Sequence, residues 1–160
     1  MRPRPPSLRV KKRYVLTEIV PPWISPDVRS LSTTVHEAIT SLWGDASTAL
    51  MQPAVVYAEP GIAILRCRRG TERNLITALS TVVMENEQPI ALHPQATSGT
   101  ILSLKKRCEY LRQKIRVENI VWRGKNCTAY RFRGHKVDLL ERGIKGQNVI
   151  FFTDDDCEEM

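Results

Sequence analysis

Residues 61–73 read GIAILRCRRGTER, and the two halves of this stretch follow different rules. Ile62, Ala63, Ile64 and Leu65 are apolar without alternation, the pattern of a strand covered on both faces. Arg66, Arg68, Arg69 and Arg73 follow within eight residues. The stretch therefore predicts a core strand that delivers four guanidinium groups to one edge of a domain. Such a scaffold is aimed at a polyanion.

Working outward, Ala58-Glu59-Pro60-Gly61 makes a turn, and Leu50–Tyr57 before it is strand-like, with Pro53 implying an edge position or a bulge. Downstream, Thr71 can cap a helix whose apolar face is Leu75, Ile76, Leu79, Val82 and Val83. Upstream, Tyr14–Val20 reads as a first strand closed by Pro21 and Pro22. A helix of about eighteen residues follows, with Ser25 as N-cap, Pro26 at the first helical position and Asp27 near the positive end of the dipole. Its core stripe is Val28, Leu31, Val35, Ala38, Ile39 and Leu42, and Gly44 is its expected stop. His36 lies off the stripe, as a surface histidine would. A fourth strand is expected over Pro89–Thr97. The order is β-α-β-β-α-β, a split βαβ, RNA-recognition-like sheet in an α/β (α+β) sandwich, with the first and third strands as central neighbours.

Two helices cover one face of such a sheet and leave the other bare. A third helix, expected from Thr100 to about Asn119, places Ile101, Leu104, Cys108, Leu111 and Ile115 at spacings of 3, 4, 3 and 4. That seam can pack on the bare face or on a partner helix. Its opposite face carries Lys105, Lys106, Arg107, Arg112, Lys114 and Arg116, against Glu109 and Glu118.

The chain thus divides into a basic, proline-rich arm (1–13), a sandwich domain (14–119), a basic and aromatic extension (120–153) and an acidic tail (154–160). The arm, MRPRPPSLRVKKR, holds Arg2, Arg4, Lys11, Lys12 and Arg13 and no acid, and is expected to be extended. The extension interleaves cations with Trp122, Tyr130 and Phe132 around a Gly124-Lys125-Asn126 turn. It reads either as a hairpin that stacks on bases or as one with a packed apolar side. VIFF before the tail is a short strand or a partner contact.

The net charge is +7 over 160 residues, and five of the seventeen acids lie in the last seven positions. Residues 1–153 therefore carry 24 basic against 12 acidic groups, a net +12, which attracts nucleic acid or another anionic surface. No apolar signal region or membrane span is expected. Cys67, Cys108, Cys127 and Cys157 have no zinc spacing and read as reduced thiols of an intracellular protein.

No convergent catalytic set is evident. Three scattered histidines assemble no nucleophilic triad, and no glycine-rich phosphate loop or strand-end carboxylate pair is present. The sheet also departs from an ordinary RNA-recognition motif, whose third strand carries stacking aromatics where this chain has Ile62, Ile64, Leu65 and Cys67.

KKRYVLTEI, GIAILRCRRG and TSGTILSLKKRCEYLR together resemble, in order and spacing, three signature stretches of one family. It is the small basic protein subunit of ribonuclease P and ribonuclease MRP, the processing-of-precursors protein five family. The likeness covers roughly residues 11–118. It implies an α/β sandwich with Lys11–Ile19 as the first strand, Gly61–Arg69 as the hairpin strand and Ser98, Gly99 and Thr100 at the entry to the third helix. It further implies a subunit that is not an enzyme on its own, catalysis by the RNA with its magnesium ions, and no cofactor or metal on the protein. The implied partners are the ribonuclease P and MRP RNAs, a thirty-kilodalton barrel-like subunit, a related small α/β subunit and, indirectly, precursor tRNA, in nucleus and nucleolus. The residues alone leave two other readings open. One is a free-standing single-strand RNA-binding domain; the other is a protein-interaction module that dimerises through the third helix.

Overall fold

The computed structural model of the protein describes residues 9–133, 136–143 and 149–153. Arg2, Arg4, Cys157 and the acidic tail lie outside the described residues. The chain divides into two compact units, residues 1–108 and 109–160.

The first unit follows the expected order. Strand β1 (Lys12–Val20) leads to helix α1 (Val28–Met51), then to the hairpin β2 (Ala54–Glu59) and β3 (Ile62–Arg68). Helix α2 (Glu72–Leu79), a small hairpin of β4 (Met84–Glu85) and β5 (Gln88–Pro89), and strand β6 (Ala91–Ser98) follow, and helix α3 (Ile101–Gln113) begins at the end of the unit. The sheet order is β2-β3-β1-β6 and every pairing is antiparallel. β1 and β3 are the central neighbours, as their apolar character requires.

Alternation sorts the two sheet faces. Val15 and Ile19 of β1 and Ala63, Leu65 and Cys67 of β3 join Leu31, Val35, Ile39 and Met51 of α1 and Leu75, Ala78 and Leu79 of α2 in one core. Leu16, Ile62 and Ile64 point to the other face and are buried as well, as are Leu104 and Cys108 of α3. The lack of alternation in residues 62–65 is thus what a strand buried on both faces produces.

Several local expectations are corrected. Asp27, not Ser25, caps α1: its carboxylate accepts from the backbone N–H of Arg29 at 3.0 Å and Ser30 at 3.3 Å. Val28 and Leu42, at the ends of the stripe, are exposed. Gly44 breaks the helical geometry with φ 76, but the helix resumes to Met51 and ends at a left-handed Gln52. The second segment is clipped back on the first, since the Thr48 hydroxyl donates to the Gly44 carbonyl at 2.9 Å and sits 3.1 Å from that of Thr40. Burial of Met51 in the core holds it there, so Leu50 is helical and the strand starts only after Pro53. Thr71 occupies the N-cap position of α2, yet its hydroxyl donates to the Arg68 carbonyl and gives no cap. Val82 is buried just past the end of α2, whereas Val83 is exposed. The β4–β5 hairpin, turned on left-handed Asn86 and Glu87, was not anticipated.

The largest difference concerns the third helix, which ends at Gln113. Ile115, although in helical register with Leu111, opens strand β7 (Ile115–Trp122). β8 (Lys125–Phe132), β9 (Lys136–Glu141) and β10 (Val149–Thr153) complete an antiparallel sheet of order β10-β9-β8-β7. Eight cross-strand pairs between β7 and β8, from Ile115↔Phe132 to Trp122↔Lys125, favour the extended form of this β-branched run. Strands β7 to β10 are therefore a four-stranded meander. Ala129, Val137 and Leu139 form its core, with Ile120, Trp122, Ile150 and Phe152 packed against them. The tight turn is Arg123-Gly124, both left-handed, one residue earlier than the sequence suggests.

Candidate nucleic-acid interface

The register of the first sheet gathers cations that are distant in sequence. Lys12 pairs with Arg68, Arg13 with Cys67 and Tyr14 with Arg66, while the Arg69 N–H donates to the Lys11 carbonyl at 2.9 Å. The start of β1 and the end of β3 thus bring Lys11, Lys12, Arg13, Arg66, Arg68 and Arg69 to one end of the sheet. A row across the sheet reads Ser98, Tyr14, Arg66, Ala54, so the entry to α3 reaches the same end.

Alternation then assigns directions. Lys12, Tyr14, Arg66 and Arg68 lie on the face away from α1 and α2, whereas Arg13 lies on the helix side. There its Nε is 3.3 Å from Glu72 Oε1 at the start of α2. The Glu72 carboxylate also accepts from the Gly70 N–H at 2.7 Å, which ties the loop after β3 to the same pair. Gly99 is shaped to this arginine: a Cβ there would stand 3.2 Å from Arg13 Nη1. Lys12 Nζ donates to the Gln52 side-chain carbonyl, so the helix C-cap steadies it. The Arg66 Nε is buried with no hydrogen-bond partner among the described residues. Desolvated in this way, a guanidinium gains more from an anionic acceptor than a fully hydrated one does. Lys11 and Arg69 are exposed at the tip, and Arg73 is exposed on the first turn of α2.

At the start of α3, the Ser98 hydroxyl accepts from the Thr100 N–H at 3.2 Å and meets the Ser103 hydroxyl, and Thr100 Oγ1 accepts from the Ser103 N–H at 3.4 Å. These residues are the helix cap, which orients the α3 entry beside β1. Lys105, Lys106 and Arg107 are exposed on α3. Arg112 is exposed in its last turn, and Lys114, past its end, lies over the Tyr110 ring at 5.4 Å.

Trp122, Tyr130 and Phe132 do not share one surface. Trp122 belongs to the core side of the meander, edge-on to Phe152 at 5.4 Å, with the Arg123 guanidinium 4.5 Å from its centroid. Tyr130 and Phe132 lie on the opposite face, where Lys136 sits over Phe132. Burial pushes the Tyr130 phenol up, and the Arg142 charge acts against that. Among the described residues, Cys67, Cys108 and Cys127 are buried. Burial raises the Cys67 thiol in spite of its hydrogen bond with Thr71. No three histidine, cysteine, aspartate or glutamate side chains converge as metal ligands among the described residues, and no helix there is long and apolar enough to cross a membrane.

The sequence reading missed Tyr14, Gln52 and Glu72, which flank, steady and pair the cations. Their roles depend on register, which no local pattern carries.

The family model described as the Rpp14/Pop5 family matches residues 13–109. The chain is 46% identical over 159 residues to ribonuclease P protein component 2 from Methanoculleus marisnigri, spanning 99% of both chains. It is 40% identical to the protein of the same name from Methanosphaerula palustris, again over 99% of both. A chain in the cryo-EM structure of yeast ribonuclease MRP superimposes with a TM-score of 0.48 and 14% identity, covering 66% of this chain and 94% of that one.

Proposed function

The chain belongs to the Rpp14/Pop5 family, and from that premise we propose that it is a protein subunit of ribonuclease P that binds and braces the RNA of the enzyme. The observation that carries this reading is the β1–β3 register, which sets Lys12 beside Arg68 and Lys11 beside Arg69. Clustered cations on a rigid sheet neutralise phosphates and release their counterions, so affinity falls steeply with salt. They also lower the mutual repulsion of RNA strands packed together, which reduces the magnesium the RNA needs for folding. In this reading the RNA and its magnesium ions hold the chemistry, the protein performs no step of its own, and precursor tRNA is met through the RNA. Other protein subunits would take the remaining surface.

Affinity purification of the tagged chain, followed by sequencing of the bound RNA, tests the proposal. Enrichment of ribonuclease P RNA is the expected result, and its absence from the bound fraction would overturn it.

A further inference from the structure

The β7–β8 hairpin carries an arginine where its turn favours asparagine or glycine. Arg123 and Gly124 have φ of 47° and 77°, the two-residue turn that matches strand twist and that Asn-Gly fits without strain. For arginine the left-handed conformation is disfavoured, because the Cβ crowds the following carbonyl oxygen. Strain retained at an exposed turn points to a use for the side chain there.

Beside this turn opens a cleft of about 260 Å³. Cys127, Leu139 and Ile150 give it an apolar floor, and Trp122 forms a wall. The rim holds Arg123, stacked on the Trp122 ring, and the Lys125–Glu141 pair, with Nζ 2.9 Å from Oε1 and 3.1 Å from Oε2. An apolar slot with an aromatic wall, one donor and one acceptor at its rim and a further cation outside suits a planar heterocycle attached to a phosphate. The Glu141 carboxylate repels a phosphate but accepts from a ring N–H or exocyclic amine, so the base enters and the phosphate stays with Arg123. Residues 109–153 hold ten lysines and arginines against four acids, which draws a polyanion to this unit.

We propose that this cleft takes one unpaired nucleotide of an RNA strand, its base against Trp122 between the Lys125–Glu141 pair and the apolar floor, its phosphate on Arg123. The inference rests on the reading of the chain as an RNA-binding subunit and adds a second, strand-selective contact in residues that the family model does not match.

The full chain carries three tryptophans, which give three indole N–H resonances in an NMR spectrum. Titration with a six-nucleotide single-stranded RNA should shift the Trp122 resonance, and the same sequence as a duplex should bind at least fivefold more weakly. Arg123→Gly relieves the turn, so it should leave the melting temperature unchanged or higher while weakening single-strand binding at least fivefold. Arg29→Gln, which removes an equal charge from α1, should change it less than twofold. An unmoved Trp122 resonance, a preference for duplex, or equal effects of the two variants would each overturn the proposal. If the chain still enriches ribonuclease P RNA in that case, the nucleotide cleft falls and the subunit reading stands. A chain that binds no RNA in either assay defeats both.

Discussion

Gly61 shows how narrowly one residue can be required. Its φ is 77°, its N–H donates to the Ile24 carbonyl at 3.3 Å, and its carbonyl accepts from Ile19 at 2.8 Å. A Cβ there would meet the Pro22 carbonyl oxygen at 3.3 Å, whereas one at Gly44, also left-handed, meets nothing within 4 Å. Gly61→Ala is therefore expected to lower stability by about 1–2 kcal/mol, and by more than Gly44→Ala, as urea denaturation of both variants will show. Ile64, 3% exposed on a face that composition alone could not assign, is the harsher test. Ile64→Asp buries an unpaired carboxylate and should leave the first unit unfolded, visible as loss of the cooperative thermal transition. Asp138 is a natural case of the same physics. One of its oxygens is buried without a hydrogen-bond partner among the described residues, and burial raises its carboxyl above the usual carboxylate range despite Lys136, whose Nζ lies 3.4 Å from the other oxygen. The folded state thus holds that proton more tightly than the unfolded one. This stabilises the fold below the unfolded value of about 4 and is lost as pH rises through the folded pKa. Asp138→Asn should raise the melting temperature of the second unit at pH 7, with the gain fading as the pH is lowered toward 4.

At the scale of elements, strands β1, β2, β3 and β6 and helices α1 and α2 were legible because each buries its apolar side chains in one sandwich. The ends were less legible. Gly44 was visible as a break, but continuation to Met51 depends on packing that sequence does not display. The third helix was overextended because Ile101, Leu104, Cys108, Leu111 and Ile115 keep helical spacing while Ile115, Val117, Ile120 and Val121 also suit a strand. Pairing with β8, a tertiary fact, decided between them. The same holds for the candidate site: its arginines were plain in the sequence, but their union with Lys11 and Lys12 required the β1–β3 register. Reversing Arg66, Arg68 and Arg69 to glutamate should consequently weaken association with ribonuclease P RNA and lower the slope of log K against log salt by about three or more, since each lost phosphate contact contributes about one. Because all three follow the apolar part of β3, circular dichroism should still report a folded domain.

For the molecule as a whole, the family match ends at residue 109 and the first compact unit at Cys108. Among the described residues, the core cluster between the sheet of that unit and its first two helices runs from Val15 to Leu92. A chain ending at Gln113, which keeps α3 intact, should fold cooperatively and retain the cations of β1 and β3, as thermal denaturation and binding to ribonuclease P RNA will report. Little of the meander was legible from sequence beyond its first hairpin and the strand-like VIFF. The mixture of Arg, Lys and aromatic side chains concealed the alternation that normally marks a strand.

The gathering of Lys11, Lys12, Arg13, Arg66, Arg68 and Arg69 has a thermodynamic reverse side. Residues 21–61 lie between the two contributing strands, so the cluster exists only in the folded chain, and folding must press like charges together against their repulsion. Glu72 offsets part of this, through Arg13. The free protein therefore folds against an internal electrostatic pressure that dissolved salt partly relieves, and a bound polyanion relieves it far more effectively. Binding and folding become two parts of one equilibrium, in which a ligand that recognises only the folded sheet stabilises it in proportion to the logarithm of its concentration over its dissociation constant. The RNA would thus act as a late structural component of the protein, as the protein does of the RNA.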